Sequence, residues 1–145
     1  LTDNATILII SKDEPLGNCP ETPEQASTRA AQGWPNSAIS NGATQIGTYY
    51  TWSDASGDII TAQGGIYSMC WKPQEASVYA YFFGVMTVVG PDGNFTKVCT
   101  KTADCSLQGI QGEQLQAGDF LRVMTRCGES SLFGVQATNM SSPST

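Results

Sequence analysis

Five cysteines, three asparagine sequons and a few closely spaced carboxylates are the residues of this 145-residue chain that could do chemistry, and no histidine accompanies them. Without an imidazole, neither a Ser-His-Asp nor a Cys-His relay can be assembled, and no other nucleophile has an evident base beside it. Asp54 and Asp58 could in principle act as an acid–base pair. They lie, however, in Trp52-Ser53-Asp54-Ala55-Ser56-Gly57-Asp58, a run of turn-formers that reads as a turn, with Ca²⁺ held by hard oxygen ligands as the alternative. No glycine-rich phosphate cradle follows a strand and opens a helix. The expectation is a protein with no catalytic, cofactor or metal site.

Cys19, Cys70, Cys99, Cys105 and Cys127 contain no C-x-x-C pair, so zinc and redox motifs are poorly supported and disulfides in an oxidising compartment are the better reading. The sequons Asn4-Ala5-Thr6, Asn94-Phe95-Thr96 and Asn139-Met140-Ser141 point the same way, towards attached glycans and an extracellular, secreted or cell-surface location. No apolar run spans a bilayer, and a chain opening on Leu1 reads as a mature or processed form. A net charge of −6 with only seven Lys and Arg cannot supply the basic surface that nucleic acid or anionic lipid requires.

The elements that must position these residues are strands. Weak charge, 15 glycines and turn clusters at short spacing describe an ordered strand-and-turn chain long enough for a hydrophobic core. Strands are predicted over residues 5–11, 46–52, 59–61, 65–71, 78–89, 95–100, 106–110, 120–126 and 131–138, with one short helix over 24–32 that Gly33 stops. Pro91-Asp92-Gly93-Asn94 reads as a hairpin turn. Residues 12–45 carry few apolar side chains for their length and read as a large surface excursion.

A repeat organises this pattern. Leu1 aligns with Leu115, an offset of 114 that pairs Ile7 with Leu121 and Ile9 with Val123. The second copy alternates, with Leu121 and Val123 opposite Arg122 and Arg126, as suits a half-exposed strand. The first copy, within the strand formed by Ala5, Thr6, Ile7, Leu8, Ile9 and Ile10, carries the run Ile7–Ile10, which is apolar on both faces and must be covered on both. It is therefore either tucked into its own sheet or inserted into another molecule's. Residues 99–113 have no counterpart before Leu1, so the first unit lacks the strands that the repeat would place ahead of it. A neighbouring copy could supply them, which makes residues 5–10 a candidate donor strand.

Gly64-Gly65-Ile66-Tyr67-Ser68-Met69-Cys70-Trp71, followed by Phe83-Gly84-Val85-Met86-Thr87-Val88-Val89-Gly90-Pro91, resembles the last two strands of an Ig-like module of extracellular proteins from eukaryotic microbes. That module commonly reads G-G-x-Y-x-x-C-W-C before a strand ending in V-G-P. Cys99 with Cys105, Leu107-Gln108-Gly109-Ile110, Gly118-Asp119 and Thr125-Arg126-Cys127-Gly128 resemble the opening of a following module. The resemblance covers residues 60–130. It implies an Ig-like antiparallel β-sandwich but no activity, and Lys72 stands where the module often has a further cysteine.

Cys99 with Cys105 is the expected disulfide, since five intervening residues can close a hairpin at compatible separation. Cys70 lies on the opposite strand face from Tyr67, Met69 and Trp71, so its partner is either Cys19 or Cys127, with Cys127 preferred and the fate of Cys19 open.

These readings divide the chain into a donor strand (1–11), a sandwich with its excursion (12–91), a C-terminal β portion (92–138) and a Ser/Thr-rich tail (139–145). The function expected is a structural subunit of an extracellular filament. Its copies, the only partners besides attached glycans, associate head to tail by strand insertion. The alternative is an adhesive or carbohydrate-binding module in which Trp34, Tyr50 and Trp52 stack on a ligand.

Overall fold

The structure, a computed structural model, describes residues 4–45, 47–52, 59–93 and 95–121. It is mostly strands in antiparallel sheets with little helix. Strand β1 (Thr6–Ile10) pairs with β2 (Gly65–Lys72), which pairs with β3 (Tyr81–Val88), giving the sheet order β1-β2-β3. A second, two-stranded ladder joins β4 (Gly90–Pro91) to β5 (Gly112–Glu113). Helix α1 (Pro23–Arg29) is capped by Thr22, whose hydroxyl accepts from the Gln25 N–H at 3.2 Å, and Pro23 opens it where no N–H is needed.

The all-apolar run is tucked into its own sheet, so the expectation of a free first strand is corrected. Along one edge of β1, Thr6 faces Lys72, Leu8 faces Cys70 and Ile10 faces Ser68. The other edge is taken by the segment that the sequence presents as an excursion. Ser11 N–H donates to Arg29 O at 2.9 Å, Ala31 N–H to Ile9 O at 2.9 Å, Ser40 N–H to Ile7 O at 2.8 Å and Ala43 N–H to Ala5 O at 2.8 Å. Backbone groups of a buried strand must be paired, and a strand with no polar face can be buried only if both edges and both faces are covered.

Residues 12–45 are thus a wrap and not a surface decoration. Cys19, Pro20, Ala26, Ala31, Trp34, Ala38, Ser40 and Ala43 are all buried. A left-handed turn through Asn36, Ser37 and Ala38 (φ 51°, 53° and 64°) returns the chain so that Ile39 bridges to Leu8. The Asn36 side-chain amide donates to Ile39 O at 2.9 Å and holds that turn.

Cys70 pairs with Cys19, at a Cα separation of 5.7 Å, which corrects the preference for Cys127. The wrap brings Cys19 over the Ser68–Cys70 face of β2, where Gly17 N–H also donates to the Ser68 hydroxyl at 3.0 Å. Cys127 lies outside the described residues. Cys99 and Cys105 form the second disulfide.

Further strands are corrected as well. Among the described residues no strand forms over 46–52, 59–61, 95–100 or 106–110, and Gly90–Pro91 pairs with 112–113 instead of turning back on 95–100. Instead, Gly47 and Thr48 lie in a turn next to the isolated Thr44–Tyr49 bridge. Most of 120–126, all of 131–138, and Asp54 and Asp58 lie outside the described residues.

The two disulfides differ in the chain they close. Cys19–Cys70 spans 51 residues and Cys99–Cys105 spans six. On the chain-entropy model the first contributes about 4 kcal/mol and the second about 2 kcal/mol. Paired Ser substitutions at 19 and 70 should therefore lower the denaturant midpoint by roughly twice as much as those at 99 and 105. Equal effects in chemical denaturation would show that the wrap does not depend on the longer bridge.

Candidate functional site

Two features of the sheet could receive a partner. One is the slot that β1 fills, between β2 and the wrap. Ile7, Leu8, Ile9 and Ile10 are each 2% exposed or less there, and burial of each contributes roughly 1.5 to 3 kcal/mol. The Ile7 N–H donates to the Ser40 hydroxyl at 2.8 Å, and the Thr6 hydroxyl donates to the Tyr79 hydroxyl at 3.1 Å. The lining comes from positions far apart in sequence, which the Cys19–Cys70 bridge holds together.

The second feature is an open aromatic groove of about 610 Å³ beside β3. Tyr49, Tyr50, Trp52, Trp71, Tyr81 and Phe83 are among its walls, and none of its lining residues is charged. Trp71 and Tyr81 are register partners whose ring centroids lie 5.7 Å apart. A bulge between Met69 and Cys70 shifts the β3 register, so that Met69 faces Gly84 while Cys70 faces Phe82. Phe83 is left without a register partner on β2.

Among the described residues β3 pairs only with β2, so its far edge is open. Tyr81, Phe82, Phe83 and Val85 are 59, 50, 58 and 49% exposed. The strand carries no Lys, Arg, Asp, Glu or Pro to blunt that edge.

Of the three rings expected to stack on a ligand, two share this groove. Tyr50 and Trp52 line the groove, and the Trp52 indole N–H is held by Ala38 O at 3.1 Å. Trp34 does not join them. It is buried in the core, edge-on to Trp52 at 5.7 Å and to Tyr67 at 6.0 Å, because the wrap turns it inward to cover the sheet. Tyr49, Trp71, Tyr81 and Phe83 are groove residues that the sequence reading missed. The consecutive aromatics Tyr81-Phe82-Phe83 were the available signal, since such a run on an alternating strand cannot hide every ring on one face.

The residues carrying the module resemblance have separate physical tasks. A Cβ at Gly64 would overlap the Gly90 carbonyl. The Tyr67 hydroxyl donates to Gln63 O at 2.7 Å. Cys70 fastens the wrap, and Trp71 floors the groove. Where the module often has a further cysteine, the Lys72 Nζ sits 5.3 Å from the centre of the Tyr79 ring.

Asn4 is exposed, whereas Asn94 and Asn139 lie outside the described residues. Among the described residues no group of three or more His, Cys, Asp or Glu could hold a metal ion, and no helix is long and apolar enough to cross a membrane. Comparison with protein-family models, with curated proteins and with solved structures gives no match.

Two phenols in this region titrate abnormally. Burial raises the pKa of Tyr67, helped by the nearby Asp13 carboxylate. Burial raises that of Tyr79 too, opposed by its hydrogen bond with Thr6. A phenol whose folded pKa is raised stabilises the fold fully below the ordinary value of about 10, and that contribution is lost as pH rises through the folded value. Stability in urea should accordingly fall above about pH 10, and Tyr67→Phe with Tyr79→Phe should flatten that fall. An unchanged alkaline limb in the double variant would contradict it.

Proposed function

We propose that this protein is a non-enzymatic structural subunit of an extracellular filament, built on an Ig-like sandwich and joined copy to copy by exchange of β1. One observation carries the reading: β1 fills a slot between β2 and the wrap, and the Cys19–Cys70 bridge ties those two walls together independently of β1. Such a slot accepts residues 5–10 from any copy, since a donated strand would meet the same hydrogen bonds and the same apolar walls. Exchange of an identical element is a low-cost route to assembly, and a donor and acceptor that differ generate an open chain of copies.

The hinge suits this use. Eight residues, 11–18, separate β1 from the bridged Cys19. Extended, they span about 26 Å, close to the width of a small domain. Swinging out releases the Lys12–Asp92 ion pair and the Gly17–Ser68 hydrogen bond, both reached by groups on the hinge. Two disulfides and exposed Asn4 within its sequon support an oxidising, extracellular setting.

Register partners Thr6 and Lys72 give the test. Facing Cα atoms of an antiparallel pair are about 4.5 to 5.5 Å apart, within disulfide range. The Thr6→Cys, Lys72→Cys protein, oxidised after assembly, should run as a ladder of covalent multimers on a non-reducing denaturing gel. Removal of residues 1–10 should leave units that no longer form filaments in negative-stain microscopy but bind a peptide of residues 4–11. A single monomer-sized band, or normal filaments from the truncated chain, overturns strand exchange.

A second reading rests on the groove, whose uncharged aromatic walls include Tyr50 and Trp52. Exposed rings of this kind stack on sugar faces. In that case a glycan array gives hits that Tyr50→Ala and Trp52→Ala abolish while the fold survives. No binding by the parent protein, with destabilised variants, assigns the rings to packing.

A further inference from the structure

The sequon at the start of β1 is split by the fold. Asn4 is exposed, with φ at 76°, a left-handed conformation that asparagine tolerates better than most residues. Its amide oxygen lies against Gly42, where a Cβ would come within 3.2 Å of it. The next residue, Ala5, is fully buried, and its carbonyl accepts from Ala43 N–H at 2.8 Å. Thr6, which completes the sequon, is half-buried within β1 and commits its hydroxyl to Tyr79 at 3.1 Å. The acceptor residue is therefore exposed, while Thr6, which makes it an acceptor, is held in the sheet and Ala5 between them is buried.

We propose that Asn4 is an N-glycosylation site that can be modified only while β1 is undocked, and that the glycan afterwards stays outside the slot. The donor required is an oligosaccharide linked through a diphosphate to a polyprenol. The Asn4 Nδ2 attacks the anomeric carbon, forming the C–N bond. The bond from that carbon to the diphosphate oxygen breaks, the electron pair leaves with the polyprenyl diphosphate, and the Nδ2 proton passes to base. A transferase must grip the whole Asn-x-Thr unit, which docked Ala5 and Thr6 deny it. Once the sugar is in place, docking remains open, because the only residue bearing it faces solvent. The proposal is independent of whether β1 docks in its own chain or in a neighbour's.

The test offers three forms of the unglycosylated acceptor to a purified oligosaccharyltransferase with a polyprenyl-diphosphate oligosaccharide. They are the folded, oxidised full chain, the same chain reduced and unfolded, and a peptide of residues 1–11. Occupancy of Asn4 is read by peptide mass mapping, with Asn4→Gln as the blank. The unfolded chain and the peptide should be modified, and the folded chain at least about tenfold more slowly, since it reacts only through local opening. The chain secreted through a glycosylating pathway should carry the sugar at Asn4 and retain the oxidised Cys19–Cys70 bridge. Modification of the folded chain at the peptide's rate overturns the docking requirement. An unmodified peptide, or secreted protein bare at Asn4, overturns the site.

Discussion

The structure depends on keeping one uninterrupted apolar strand out of water. Ile7, Leu8, Ile9 and Ile10 offer no polar face, so β1 needs cover on two faces and hydrogen-bond partners on two edges. One edge goes to β2, and the other to a wrap that is hardly regular secondary structure at all. Other features follow from that requirement. The left-handed turn at residues 36–38 returns the wrap to β1, Ser40 caps the Ile7 amide, and the Cys19–Cys70 bridge fastens the wrap across β2. A wrap this irregular has little stability of its own, so a covalent tie over 51 residues has most effect where it is placed.

The opposite side of the sheet is resolved differently. β1 has partners on both edges, whereas among the described residues β3 pairs on one edge only and presents a row of half-exposed rings without a single charge. Exposed apolar side chains therefore run together along β3 and its neighbouring groove, although others, such as Leu16, Ile59 and Val98, are exposed elsewhere. The same sheet holds a filled slot at one edge and exposed rings at the other.

Much of the local pattern was legible in the residues. β1 and β2 fall within a residue of their predicted limits because Ile7–Ile10 and Tyr67–Trp71 are dense in strand-forming side chains between clear breaks. A helix was expected over 24–32 with Gly33 as its stop, but it ends at Arg29, because Ala30 and Ala31 turn away to pair with β1. Strands expected over 95–100 and 106–110 did not form, although their alternation is real. A strand exists only where an edge is offered to it, and in this region the ladder pairs Gly90–Pro91 with Gly112–Glu113.

By itself, the sequence determined the all-β class, the absence of any imidazole chemistry, the need for β1 to be covered on both faces, and the candidacy of Cys99 and Cys105 as a short-range disulfide. These are properties of composition and of neighbours a few residues apart, so they survive without knowledge of the fold. Only the tertiary structure decided that Cys70 bonds to Cys19, that Trp34 is a core ring while Tyr50 and Trp52 line a groove, and that residues 12–45 wrap the sheet. Each of those outcomes depends on which segment reaches an edge or face first. Alternating side chains state that a face must be covered, but they carry no record of which distant residues cover it.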